Sequence, residues 1–482
     1  MKYDVVIGLE VHVELKTRSK LFCGCQTSFG SQPNTQCCPV CLGLPGSLPV
    51  LNRRALELAI IASLALNCTV AMHSRFDRKN YFYPDLPKAY QISQYNHPLG
   101  EKGYLKLPGS EKRVGIARVH LEEEAGKLIH PGGSILEADY SMVDYNRAGI
   151  PLLEIVSEPQ INSPLEARLY LEELRLIMLY TGVSDCRMEE GSLRCDANIS
   201  LKLPSDERLG TKVEVKNMNS FRNVELALAY EAERQAAILN AGGEIEQETR
   251  HWDEITRTTI SLRGKEEASD YRYFPEPDLP PFFLDETYIS KLKSNMPELP
   301  AVRRERFCRQ YSLEPGDIEI LVGNPDLADF YEQAAVYCRD YRELANWVNG
   351  EILRIAREEE LPVKEMDPLV LAETIGLLQK GAVNRLIAKN ILSEALIKGE
   401  KPADLVKKRD LGIIGERTDI EPLVQKVLSE NGKAVESYLH GKKKSFDFLV
   451  GRVMALTGGR ADPSVVNKIL KEKLDKRAEK SE

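Results

Sequence analysis

Glu10, His12 and Glu14 alternate with Leu9, Val11, Val13 and Leu15 in the opening segment of the chain. Strand side chains point to opposite faces in turn, so a period of two gives one apolar face and one polar face. Two carboxylates beside an imidazole are what a hard divalent cation, or a proton-transfer step, uses. A solvated strand face is the plain alternative. The segment Arg118-Val-His120-Leu-Glu122-Glu-Glu124 repeats the pattern and sets Arg118, His120, Glu122 and Glu124 on one predicted face. Glu122 and Glu124 are equivalent candidates on that pattern. Glu154 interrupts the apolar run Pro151-Leu-Leu-Glu-Ile-Val. A carboxylate there is costly to bury unless it is paired or metal-bound, and a structural salt bridge would also satisfy it.

Two later segments add opposite charge. In Arg194-Cys-Asp196-Ala-Asn198, Asp196 and Asn198 point the same way, and in Lys212-Val-Glu214-Val-Lys216 the three charged residues share a face. Carboxylates to hold Mg²⁺, with Arg and Lys to balance phosphate charge, are the parts of a phosphoryl-transfer site. The chain has neither a Walker A loop nor a kinase glycine-rich signature, so a nucleotide is expected on a sheet face. Arg78–Gln91 and Asp270–Pro277 are dense in aromatic, basic and proline residues, as loops that line sites often are.

Cys23-x-Cys25 and Cys38-x-x-Cys41 are two close pairs separated by twelve residues. Four thiolates so spaced suit one tetrahedral Zn²⁺. With all four positions filled by protein, the ion is structural, not catalytic. Cys37 is a surplus thiol beside the second pair, and the five cysteines elsewhere read as core filling.

The elements that must position these residues differ along the chain. Up to about residue 290, short alternating segments such as Arg113–Leu121, Ala197–Leu201 and Lys212–Lys216 mix with helical ones at Asn52–Leu66, Pro164–Thr181 and Val224–Ala241. That irregular mixture indicates α+β with a largely antiparallel sheet. From Pro300 the periodicity is helical, at Leu327–Tyr337, Tyr341–Glu359, Pro368–Lys380 and Val383–Glu394, with a last block from Glu421. Boundaries near Lys293 and Lys398 give domains at 1–293, 294–398 and 399–482. The length of 482 residues suits several domains at roughly 100–200 residues each.

Composition is that of an ordinary globular protein, with 43% hydrophobic and 29% charged residues. No apolar run reaches the ~18 residues of a membrane span. The N-terminus enters a strand at once, without the pattern of an export or transit peptide, so the bacterial cytoplasm is expected. A net charge of −8 argues against a basic coat for nonspecific nucleic-acid binding. Yet residues 442–482 hold 11 Lys/Arg against 6 Asp/Glu, which hints at a polyanion partner for that end, although a solvated helical face would look alike.

Taken together, Gly8-Leu-Glu-Val-His-Val-Glu14, Cys38-Pro-Val-Cys41, Phe76-Asp-Arg-Lys-Asn-Tyr-Phe-Tyr-Pro84, His120-Leu-Glu-Glu-Glu-Ala-Gly-Lys127, Gly191-Ser-Leu-Arg-Cys-Asp-Ala-Asn198 and Asp270-Tyr-Arg-Tyr-Phe-Pro-Glu-Pro277 closely resemble one family. It is the B subunit of the bacterial aspartyl/glutamyl-tRNA amidotransferases, and the likeness runs on through Phe448-Leu-Val-Gly451 and Gly459–Leu470. The resemblance implies an antiparallel-sheet cradle domain, related to glutamine synthetase and guanido kinases, followed by two all-α domains. It implies that ATP and Mg²⁺ serve to phosphorylate the side-chain carboxylate of Glu-tRNA(Gln) or Asp-tRNA(Asn). Ammonia from a glutaminase A subunit would displace the phosphate, and a C subunit would complete a heterotrimer. Carried over by motif, Glu10, His12, Glu124 and Glu154 are expected as Mg²⁺ or catalytic ligands, with Glu214 a further candidate. Arg194 and Lys216 are expected on phosphate. Cys23, Cys25, Cys38 and Cys41 place the chain among the zinc-bearing members. Lys442, Lys443, Lys444, Arg452, Arg460 and Lys468 are expected on the tRNA backbone.

Overall fold

The alternation at the N-terminus becomes the centre of a nine-stranded sheet in a computed structural model that describes residues 2–131, 139–263 and 271–478. In chain order its strands are β1 (Asp4–Glu14), β2 (Thr69–Val70), β3 (Gly100–Lys106), β4 (Arg113–Glu123), β5 (Pro151–Ser157), β6 (Leu193–Lys202), β7 (Val213–Lys216), β8 (Thr249–Asp253) and β9 (Thr258–Arg263). Across the sheet they run β9-β8-β7-β6-β1-β5-β4-β3-β2. Every neighbouring pair is antiparallel except β7 with β8.

Three helices cover the apolar face. Helix α1 (Arg53–Ala65) starts where the Asn52 side chain accepts from Arg54 N and Ala55 N. Ser163 and Ser220 cap α2 (Pro164–Tyr180) and α3 (Phe221–Asn240) in the same way, and Pro164 occupies the first turn of α2, where its missing N–H costs nothing. Ile7, Leu9, Val11 and Val13 of β1 are at most 1% exposed in the resulting core, which also takes in Val119, Leu121, Leu153, Ile155 and Ala197. The opposite face of the sheet is left to Glu10, His12 and Glu14.

Two small pairings bring the aromatic segments together. Asp77–Asn80 pairs with Tyr90–Ser93 and with Phe274–Pro275. Arg78 binds Glu276 through two hydrogen bonds of 2.7 and 2.8 Å, and Tyr95 stacks on Tyr273 at 4.1 Å. Asp270, at the head of the second segment, lies outside the described residues.

The chain divides into two compact units, Met1–Val302 and Arg303–Glu482. The second is helical, including Pro325–Ala335, Pro368–Gln379, Arg385–Lys398, Arg417–Glu430, Lys444–Leu456 and Pro463–Ala478. The helix expected over Tyr341–Glu359 is one continuous run, interrupted by a π turn at Val348–Ile352. Near the C-terminus, Ile420, Val424, Val427, Leu449, Val453, Val466, Ile469 and Leu470 share a core of their own. Among the described residues, no helix is long and apolar enough to cross a membrane.

Candidate functional site

Register lines up the polar face. Arg194 on β6, His12 on β1, Glu154 on β5 and His120 on β4 stand opposite one another across four strands. One step along, Asp196 opposes Glu10, and Arg118 opposes Val156. In the other direction Glu122 opposes Leu152, which in turn opposes Glu14.

His12, Glu122 and Glu154 form one compact group. His12 Nε2 lies 3.5 Å from Glu122 Oε1 and 3.5 Å from Glu154 Oε2, and His120 Nε2 lies 3.4 Å from the same Glu154 oxygen. One ligand atom from each of His12, Glu122 and Glu154 falls within 4.8 Å of the others, a spacing able to hold a metal ion. Burial pushes Glu122 up to about 7, and the charge of Glu154 adds to this. Burial also works against ionisation of Glu154, but His120, His12 and Lys79 hold its carboxyl below the usual range. Burial lowers His12, yet pairing with Glu154 and the charge of Glu122 outweigh it and leave its pKa raised. Burial carries His120 down to about 4. Opposed shifts in touching groups mark a site where charge is held under tension.

The other residues expected on the sheet lie on the same face. Glu10 accepts from Asn198 Nδ2 at 3.1 Å. Glu124 sits just past the end of β4, where its N–H donates to Ile150 O at 2.9 Å and its Oε2 pairs with Arg194 and, at 3.3 Å, with Arg147. The structure thus places Glu122 with His12 and Glu154, and Glu124 with the arginines. Lys216 bridges Asp196 at 2.5 Å and Glu214 at 3.0 Å, and Thr249 donates to Glu214 at 2.9 Å. Of the residues outside the expected set, His120 and Asp196 carry the strand parity of Glu122 and Arg194, a signal present in the sequence. Arg147 sits in a loop, where no period marks it. That loop closes through Gly149, whose φ of +84° suits glycine, and whose N–H donates to Glu124 O at 2.8 Å.

Cys23, Cys25, Cys38 and Cys41 converge in a second cluster, their sulfurs within 4.8 Å of one another. Cys38 N–H donates to Cys41 Sγ at 3.1 Å, and the buried Lys20 Nζ lies 3.6 Å from the same sulfur. The hydrogen bond from Cys23 is the main cause that draws Cys41 down to about 4, with Lys20 contributing. Cys37 stands apart, turned towards Asn146 Oδ1 at 3.9 Å.

In the second unit, Lys442, Lys443, Lys444, Arg452 and Lys468 are exposed. Arg460 is engaged: it binds the Asp410 carboxylate at 3.1 Å and the Thr457 carbonyl at 3.3 Å.

Residues 5–290 match the model described as the GatB/GatE catalytic domain, and residues 329–474 match the GatB domain. The chain is 52% identical over 479 residues to the B subunit of the aspartyl/glutamyl-tRNA(Asn/Gln) amidotransferase of Carboxydothermus hydrogenoformans, covering 98% of this chain and 99% of that one. It belongs to this B-subunit family. The B subunits of Moorella thermoacetica and Caldicellulosiruptor saccharolyticus are 50% and 48% identical, each covered along 100% of its length by 98% and 99% of this chain. Three of the motifs that carry the resemblance fall at this site: the first on β1, the His120 motif on β4 and its exit, and the Gly191 motif leading into β6.

Proposed function

We propose that this chain activates the side-chain carboxylate of glutamate or aspartate on a misacylated tRNA, Glu-tRNA(Gln) or Asp-tRNA(Asn), by phosphorylation from ATP, and then converts it to the amide. The observation that carries this is the His12–Glu122–Glu154 group on the face of the sheet opposite the helices, flanked by Arg194 and Lys216, in a chain of this family.

The donor set fits a hard cation. Glu122 Oε2 is buried with no hydrogen-bond partner among the described residues, so an acceptor is left open in the middle of the group. Glu122, Glu154 and His12 would hold Mg²⁺, with Glu10 at the next register position. Bound there, Mg²⁺ supplies positive charge against the phosphates of ATP. Arg194 and Lys216 offer charge-assisted hydrogen bonds to phosphate oxygens, once Glu124, Asp196 and Glu214 yield them.

A carboxylate is a poor electrophile at neutral pH. In the proposed sequence its oxygen attacks the γ-phosphorus, the bond to the β-phosphate oxygen breaks, and ADP leaves. Ammonia, delivered from a glutaminase A subunit, then attacks the acyl carbon. Phosphate departs with the carbon–oxygen bonding pair, and the nitrogen loses a proton to give the amide.

The remaining parts follow the same reading. The sheet with one helical layer is proposed as a cradle of the glutamine synthetase and guanido kinase type. The separate core at Ile420–Leu474 supports dividing the helical region into parts at 294–398 and 399–482. The exposed Lys442–Lys444, Arg452 and Lys468 suit contact with tRNA phosphates, and Arg460 would shape that surface from beneath. The four cysteines suit a structural Zn²⁺: sulfurs ~2.3 Å from an ion stand about 3.8 Å apart, close to the 3.9 Å between Cys38 and Cys41. The setting is a cytoplasmic heterotrimer with A and C subunits.

The test is reconstitution with A and C partners and assay of Glu-tRNA(Gln) conversion. Product that requires both ATP and glutamine, and that falls about a hundredfold or more in His12→Ala and Glu154→Gln, is expected. Conversion independent of ATP would refute the reading.

A further inference from the structure

Glu14, Arg147, Glu124 and Arg194 form an alternating chain of charge that ends beside His12. Arg147 reaches Glu14 Oε1 at 2.9 Å and Glu124 Oε2 at 3.3 Å. Glu124 Oε2 is also the oxygen that pairs with Arg194, while Glu124 Oε1 accepts from Ala125 N at 3.1 Å. Only 6% of Glu124 is exposed, so its charge depends on these partners and not on water. Arg194 has an inner Nε that is buried with no hydrogen-bond partner among the described residues.

The geometry points to Arg147 as a positioning residue: by sharing Glu124, it leaves the Arg194 guanidinium free to turn to a phosphate. An arginine that must hold phosphate cannot be consumed by a buried carboxylate. Were Glu124 to have Arg194 as its sole cation, their pairing would compete directly with the nucleotide. Arg147 divides that carboxylate's field between two guanidinium groups, and Glu14 accepts from the same Arg147 Nη2 that reaches Glu124.

This role rests on the proposed ATP chemistry, and the experiment separates the two. Wild type, Arg147→Gln, Arg147→Lys and the double variant Glu14→Gln/Arg147→Gln are compared in the reconstituted complex. KM and kcat are measured for ATP, glutamine and aminoacyl-tRNA, with thermal unfolding run in parallel. Arg147→Gln should raise the KM for ATP roughly tenfold, the scale of one charge-assisted hydrogen bond, with little change in kcat or in the other two KM values. Arg147→Lys should recover part of the loss. The double variant also removes the buried Glu14 carboxyl left without its Arg147 partner, so it should regain unfolding temperature but keep the raised KM. An unchanged KM for ATP, equal rises in all three KM values, or recovery of KM in the double variant would each overturn the role of Arg147. Wild-type complex that forms amide without ATP would overturn the underlying chemistry instead.

Discussion

At the scale of single residues, the site is governed by how burial and neighbouring charge divide protons among touching groups. Glu122, raised to about 7, and Glu14, likewise raised to about 7, bind protons more tightly in the fold than in the unfolded chain. Such carboxyls contribute stability that is full below their unfolded pKa, near 4.5, and is lost as pH rises through about 7. Without divalent ions, the first unit should therefore lose unfolding temperature between pH 5 and about 8. Mg²⁺ should restore it, and more at pH 8 than at pH 6, because a cation competes with the proton on Glu122. Thermal melts with and without Mg²⁺ across that range check the sign. A Mg²⁺ effect that is larger at pH 6 would contradict the placing of the cation on Glu122. Between Glu122 and Glu124, the alternation could not choose, since both carry the same parity. The two part company in the fold because β4 ends at Glu123, after which the chain turns and Glu124 pairs with Arg147 and Arg194.

At the scale of elements, the site is a property of β1 and of the strands in register with it. Shifting a strand by one residue moves every side chain to the other face. Inserting one alanine after Gly8 should thus turn Glu10 and His12 towards the helices and abolish activity. Leu9→Ala, which leaves the register alone, should cost about 2–5 kcal/mol by denaturant unfolding of the first unit. The pattern was readable here because one face is fully buried: Leu9, Val11 and Val13 could only point inward. Helices α1 to α3 were legible to within a few residues for the related reason that each is amphipathic and begins at a capping side chain. Arg147 and Lys20 were not legible. Each acts through long-range contacts, Arg147 with Glu14 and Lys20 with Cys41, and neither contact leaves a local period. The cysteine cluster was legible by spacing alone. Metal analysis should find one zinc per chain, and Cys38→Ser should release it. Residues 23–47 should then become the first segment cut by protease, while ATP binding persists.

At the scale of the whole molecule, charge is unevenly divided. The catalytic sheet carries interleaved carboxylates and guanidinium groups, and the end of the chain carries exposed lysines. Replacing Lys442, Lys443 and Lys444 by Glu should weaken tRNA binding and flatten its salt dependence by about 0.7–0.9 in slope for each phosphate no longer neutralised. Affinity for ATP should not change. Arg460→Ala should instead lower the unfolding temperature of the helical unit, because Arg460 is bound to Asp410 and Thr457. Filter binding over a salt series distinguishes the two effects. The proposed chemistry turns on one bond, between the amino acid's carboxylate oxygen and phosphorus. The direct measurement uses the reconstituted complex and Glu-tRNA(Gln) whose side-chain carboxylate is labelled with ¹⁸O. Phosphate released during amide formation should carry one ¹⁸O atom from that carboxylate. Amide formed alongside unlabelled phosphate would show that the carboxylate is never phosphorylated.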